Sequence, residues 1–255
     1  MDFLSWFIDP SEWWNIYYGV IVSSLKLSFH RDQEATEVLS RVLSRHPSVT
    51  RAENILERIR ERDLAVVVGC SESVRYELNY VLEFNRQIGW TSVIVAADGA
   101  VKLLLERGVL PDLVVTDLDG DLRELIEISA RNVPLVVHAH GDNIEKIESV
   151  VPLLRGPVVG STQVEPRPLV YNFGGFTDGD RAVYILYHAG YRRILLVGFD
   201  FEKPFSCPGK VLVDSMVKLE KLKVAKTLLL ILMKRGVELL KVSCSGGSCS
   251  QIFLS

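Results

Sequence analysis

From position 64 onward the chain is punctuated by short runs of valine, isoleucine and leucine that are apolar at every position, not at alternate ones. They fall at 64–68, 93–97, 113–115, 135–137, 158–159 and 194–197. A strand without a polar face has to be covered on both sides. The segments between the runs, 76–88, 101–107, 122–130 and 182–189, carry apolar residues at helical spacing and can supply that cover. The expected fold is therefore α/β, a mostly parallel Rossmann-like sheet flanked by helices, over residues 63–255. A long helix at 213–235 and a last strand at 237–242 are expected to close it, and no internal repeat interrupts the pattern.

Residues 1–62 read as an N-terminal helical appendage. Val38, Leu39, Val42 and Leu43, then Ile55, Leu56 and Ile59, mark a helix face that Pro47 breaks. The first 29 residues are aromatic, with Trp6, Trp13, Trp14, Tyr17 and Tyr18. Asp2, Asp9 and Glu12 precede the apolar stretch, the reverse of a secretory leader. That stretch, 16–25, is well short of the roughly 20 residues a spanning helix needs. Packing or subunit contact is the expected role, with a homodimer as the expected state, no membrane partner and a cytoplasmic location. The formal net charge of -3 gives no electrostatic reason to expect a nucleic-acid partner. The four cysteines form no CxxC pair and are read as buried thiols, although Cys244 and Cys249 could pair across a Gly-Gly loop.

Parallel sheets bind ligands at the carboxyl ends of their strands. In this chain those positions are filled by small and polar residues: Gly69 to Ser73, Asp98-Gly99, Thr116 to Asp121, His138 to Asn143 and Gly160 to Gln163. The acidic stretch is the clearest. Asp112, Asp117, Asp119 and Asp121 occupy ten residues without a lysine or arginine among them. Such a cluster repels itself unless a cation sits in it, and Mg²⁺ suits a few carboxylates plus phosphate oxygens. Asp117 and Asp119 are the expected ligands, with Asp98 beside or behind them.

Gly174-Gly175-Phe176-Thr177-Asp178-Gly179-Asp180-Arg181 comes second. Paired glycines admit close approach of a ligand, Thr177 or Asp178 can cap a helix, and Arg181 adds a fixed cation. His138, His140, Asp142 and Asn143 suit hydrogen bonding to a substrate or phosphate, with a zinc site as the lesser alternative. The loop at Gly69 and Ser71 matches neither a P-loop nor a dinucleotide fingerprint. Lys218 and Lys221, on the long late helix, either face solvent or reach a triphosphate.

Taken in order, the blocks at Ala97–Ala100, 108–112, 116–120, 138–143, 162–163 and 172–182 resemble the archaeal 6-hydroxymethyl-7,8-dihydropterin pyrophosphokinase family. That family is similar to thiamin pyrophosphokinases in its catalytic core. The resemblance covers about residues 64–200 and implies Mg²⁺-dependent transfer of diphosphate from ATP to the pterin hydroxymethyl group, releasing AMP. It places the reaction in folate- or methanopterin-type cofactor synthesis. Under it, Arg181 and a late-helix lysine offset phosphate charge, Asp178 or Asp180 orients the hydroxyl, and Asn172 or Gln163 reads the pterin edge. Gly69, Ser71, Gly99, His140, Asp142, Asn143, Gly174, Gly175, Thr177, Lys218 and Lys221 would line the nucleotide and acceptor sites. A thiamin-type diphosphokinase and a nucleotide-binding module of a surface-glycan pathway are the alternatives.

Overall fold

The computed structural model describes residues 5–25, 27–60, 62–89, 91–205, 207, 214–245 and 248–254. Strands β1 (Leu64–Val68), β2 (Ser92–Ala97), β3 (Leu113–Thr116), β4 (Leu135–Ala139), β5 (Val158–Thr162), β6 (Val170–Tyr171), β7 (Arg193–Val197), β8 (Glu238–Ser245) and β9 (Ser248–Phe253) form one sheet. Their order is β6-β5-β4-β3-β2-β1-β7-β8-β9, parallel throughout except for the β8–β9 pair. The α/β expectation holds.

Helices α1 (Pro10–Ile16), α2 (Phe29–Leu43), α3 (Ala52–Ile59), α4 (Val74–Ile88), α5 (Val101–Leu105), α6 (Leu122–Ala130), α7 (Ile144–Val150), α8 (Asp178–His188) and α9 (Ser215–Lys234) cover both faces. Alternate strand residues point to opposite sides. Ala65 and Val67 join α1, α3, α8 and α9 in one core, whereas Val66 and Val68 join α2 and α4 to α7 in the other. All five residues of β1 are buried, which explains why its sequence shows no alternation. Burying each valine contributes about 1.5–3 kcal/mol against the entropy of ordering the strand.

The aromatic N-terminal segment is built into this packing. Trp13 and Tyr17 are fully buried, and Trp13 donates its indole N–H to the Gln163 carbonyl at 2.8 Å. Residues 48–50 pair with the start of β5 through Thr50 N–H to Val158 O and Val158 N–H to Ser48 O. Among the described residues no helix is long and apolar enough to cross a membrane.

The chain steps outward from β1 to the edge at β6, and α8 then carries it back across β1, β2 and β3 to β7 on the far side of β1. That reversal brings the start of α8 to the carboxyl ends of the central strands, where such sheets hold ligands.

Two expectations are corrected. β6 and β9 were not foreseen: β6 is two residues long, and β9 reads Ser-Cys-Ser-Gln-Ile-Phe, a polar edge without the apolar signature. The cysteines are not thiols. Cys70 pairs with Cys207 and Cys244 with Cys249. Cys244 and Cys249 are direct cross-strand partners, and adjacency of β1 and β7 brings the other pair together across 137 residues. The expected helix start at Val213 lies outside the described residues.

Candidate active site

Asp98 follows β2, Asp117 and Asp119 follow β3, and Asp178 opens α8. One carboxylate oxygen from each lies within 4.8 Å of the others. Local geometry accounts for the convergence. Leu118, fully buried between the two β3 aspartates, sits at φ 64°, a left-handed conformation that costs a leucine about 1–3 kcal/mol. The bend is held by the Thr116 hydroxyl, which accepts from Leu118 N–H at 2.8 Å, and by Asp117 Oδ1, which accepts from Asp119 N–H at 3.2 Å. It turns both carboxylates to one side of the strand end. Asp98, 3% exposed, accepts from Gly120 N–H at 2.7 Å. A Cβ on Gly120 would lie 2.1 Å from Asp98 Oδ1, so any larger residue there displaces the Asp98 side chain.

The cluster is not the one drawn from sequence in every member. Asp178 joins it, whereas Asp121 is the N-cap of α6 and Asp112 accepts from Ile94 N–H at 2.8 Å. At an effective dielectric of about 20, two partly buried carboxylates at this spacing repel by roughly 3 kcal/mol. Burial and the charge of Asp121 push the neighbouring Glu124 carboxyl upward, with Asp98 adding to the effect.

The loop after β4 forms one wall. His140 Nδ1 accepts from Asp142 N–H at 3.3 Å, so in the neutral ring Nε2 carries the hydrogen, 3.5 Å from Asp117 Oδ2. Asn143 donates to the carbonyls of Asp117 (2.8 Å) and His138 (2.7 Å) and accepts from His140 N–H at 3.1 Å. Asp142 is exposed on the same loop. His138 is turned elsewhere: its Nε2 accepts from Arg181 Nη2 at 3.1 Å and its Nδ1 faces Ser161 Oγ at 3.3 Å. The two rings therefore have separate partners, and among the described residues no metal-competent group includes either histidine.

Arg181 and its surroundings differ most from expectation. The guanidinium is wholly buried and holds the Gly174 carbonyl (3.1 Å), the Phe176 carbonyl (3.2 Å) and His138, while Nε finds no partner among the described residues. Burial draws its pKa down to about 10, opposed by Asp180, Asp178 and Asp117, and it stays cationic at neutral pH. Burial, and then Arg181, hold His138 well below the ordinary imidazole range, so it is neutral. Arg181 thus fastens the Gly-Gly loop from beneath and is not presented at the surface.

Asp180 is also spent on structure. It accepts from Phe176 N–H at 2.6 Å, from Thr177 N–H at 2.7 Å and from the Thr177 hydroxyl, a capping box for α8. Gly174 and Gly175 both sit at φ 80°, packed on the Tyr184 ring and the Arg181 backbone, where no Cβ would fit. The two amides expected to read a pterin are engaged inside the protein. Asn172 bridges the Val164 carbonyl and Gly174 N–H, and Gln163 donates to Asp32.

At the β1 end, Gly69 packs on Gly198 and the Phe199 ring, and Ser71, 2% exposed, leans on Glu77, which accepts from Gly198 N–H at 2.6 Å. Gly99 lies directly under the Cys70–Cys207 disulfide. Lys218 is half-buried in the first turn of α9 and Lys221, a turn on, is exposed. Asp178 as a cluster member and Asp32 behind the β4 loop are the residues that sequence reading missed. The first was visible as an acidic neighbour of the Gly-Gly motif, the second by no motif at all.

Fold and cluster together define a doubly wound α/β protein with a group of carboxylates gathered at the ends of its central strands. Residues 40–204 match the model of a protein family described as 6-hydroxymethylpterin diphosphokinase MptE-like. The chain is 36% identical over 233 residues to the 6-hydroxymethyl-7,8-dihydropterin pyrophosphokinase of Methanocaldococcus jannaschii, covering 87% of this chain and 95% of that one. It is 41% identical over 192 residues to the protein of the same name from Pyrococcus furiosus, covering 74% and 78%. Among solved structures, the MAf glycosyltransferase of Magnetospirillum magneticum superposes with a TM-score of 0.42 at 16% identity, over 81% of this chain and 33% of its own. The chain belongs to the MptE-like 6-hydroxymethylpterin diphosphokinase family.

Proposed function

We propose that this chain transfers the terminal diphosphate of ATP to the hydroxymethyl oxygen of 6-hydroxymethyl-7,8-dihydropterin, releasing AMP, with Mg²⁺ held by Asp98, Asp117, Asp119 and Asp178. The observation that carries this reading is the convergence of those four carboxylates within 4.8 Å at the strand ends. An all-oxygen, anionic donor set fits a hard divalent cation, whereas a softer metal would call for histidine or cysteine. When bound, the ion supplies charge neutralisation at the phosphate oxygens.

The chain's own residues do the rest. His140, through Nε2–H, orients the Asp117 carboxylate, and Asn143 ties the backbone at Asp117 to the β4 loop. The Arg181 clamp fixes the Gly-Gly loop and hence the start of α8, which sets where Asp178 stands. Lys218 and Lys221 offset the charge on the phosphates from the side of α9. In the reaction the pterin oxygen bonds to the β-phosphorus as the bond from that phosphorus to the α–β bridging oxygen breaks. The hydroxyl proton passes to solvent. Such transfers depend more on in-line placement and charge neutralisation than on a strong base. This role for Asp178 replaces the hydroxyl-orienting one expected of Asp178 or Asp180.

Asp117→Asn and Asp119→Asn test the reading. Each should leave thermal unfolding unchanged or slightly improved and lower turnover by at least about 100-fold, since an amide is a poor partner for Mg²⁺. Near wild-type rates for both variants at saturating Mg²⁺ would refute the metal assignment.

A further inference from the structure

The N-terminal helices carry no catalytic motif, yet the first turn of α2 grips the loop that walls the acidic cluster. Arg31 and Asp32, adjacent in sequence, hold the two polar groups of one residue. Asp32 Oδ1 accepts from Gly141 N–H at 2.8 Å, and Arg31 Nη2 donates to the Gly141 carbonyl at 2.9 Å. Contact is so close that a Cβ on Gly141 would lie 2.5 Å from Arg31 Cβ. Asp32 is 4% exposed, and its other oxygen accepts from Gln163 Nε2 at 2.8 Å, which fixes the carboxylate from the β5 side. One turn later Thr36 and Thr162 hydroxyls meet at 2.7 Å in the interior, seating α2 on the same strand end.

Gly141 lies between the residues that touch the cluster's central aspartate. His140 precedes it, 3.5 Å from Asp117 Oδ2, and Asn143 follows, donating to the Asp117 carbonyl. A buried carboxylate that only capped its own helix would have no reason to reach across to β4 and β5. We propose that Asp32 is a positioning residue: it anchors Gly141 so that His140 and Asn143 hold Asp117 in its metal-binding orientation. The link to metal rests on the reading of the four aspartates given above; the anchoring of the loop does not.

The test uses the full chain with Asp32→Ala and Asp32→Asn, Mn²⁺ as the binding probe, and hydrogen exchange of residues 138–144. Asp32→Ala should speed exchange in 138–144 but not across the sheet, and weaken Mn²⁺ about tenfold, as removal of a residue that orients a metal ligand does. Asp32→Asn keeps an acceptor for Gly141, with Gln163 turned over to accept from the new amide, and should stay within about threefold of wild type in metal affinity. Because both act through one loop, Asp32→Ala added to Asn143→Ala should weaken Mn²⁺ by less than about twofold further. Should Asp32→Ala fail to fold, Arg31→Ala releases the carbonyl of the same residue, Gly141, and should raise the same local exchange.

Unchanged exchange in 138–144 on releasing either side overturns the anchoring. Faster exchange with unchanged Mn²⁺ affinity, or full multiplicative losses in the double variant, overturns the coupling to Asp117. A wild-type chain that binds no Mn²⁺ would instead refute the metal reading, and the exchange data would still decide whether Asp32 holds the loop.

Discussion

Gly120→Ala probes the cluster without touching a carboxylate. The added methyl would start 2.1 Å from Asp98 Oδ1 and 2.6 Å from its Cγ, so the side chain of Asp98 must swing away. That movement breaks the 2.7 Å hydrogen bond from Gly120 N–H. Losing a hydrogen bond to a charged group costs about 1.5–3 kcal/mol, and forcing volume into a packed site adds about 1–3 kcal/mol. For a chain of this size, part of that sum should appear as a fall in Tm of roughly 5–10 °C. The larger effect should be functional, because Asp98 would leave the proposed metal set. The Mg²⁺ concentration for half-maximal rate should rise about 10- to 100-fold. The assay is initial rate against Mg²⁺ at saturating ATP and acceptor, with thermal unfolding in parallel. Gly19→Ala, where nothing lies within 4 Å, is the control: it should leave the Mg²⁺ dependence unchanged and, being helical, raise Tm by a few degrees at most. A Gly120→Ala enzyme with wild-type Mg²⁺ dependence would refute the claim that Asp98 belongs to the site.

Two further outcomes follow from buried groups elsewhere. Burial lowers His188 from 6.5 to about 4, against the hydrogen bond of Nε2 to the Phe173 carbonyl at 2.9 Å, which raises it. The unfolded chain therefore binds the extra proton between about pH 6.5 and 4; stability is fully present above that window and falls as pH drops through it, by at most about 3 kcal/mol. His188→Gln, which keeps a donor to Phe173, should flatten the pH slope of urea unfolding in that window, and an unchanged slope would count against the assignment. With both disulfides formed, iodoacetamide should add no mass to the unreduced, denatured protein and four adducts after reduction; labelling before reduction would return the cysteines to the thiol reading.

The sheet was legible because the property that defines a doubly covered strand, apolarity at every position, can be read directly from residues such as those at 64–68 and 194–197. β6 and β9 were not, since two residues carry no period and a polar edge strand looks like a loop. The same divide runs through the site. Asp98, Asp117 and Asp119 announced themselves by position after strands. The assignments of Arg181, Asp180, Asn172 and Gln163 to substrate contact fell short because residue type cannot distinguish a side chain facing the cleft from one holding the loop behind it. A short window around Gly-Gly holds both kinds: Asp178 points to the cluster and Asp180, two residues on, is consumed by its own helix cap. Asp32 was invisible because its partners are backbone groups and an amide more than 100 positions away.

The most direct measurement follows the phosphorus. ATP carrying ³²P at the β position, incubated with the protein, Mg²⁺ and 6-hydroxymethyl-7,8-dihydropterin, should deliver its label to a pterin diphosphate ester while unlabelled AMP accumulates in equal amount. Label retained in ADP beside a pterin monophosphate, or AMP formed with no pterin ester, would contradict diphosphate transfer at this site.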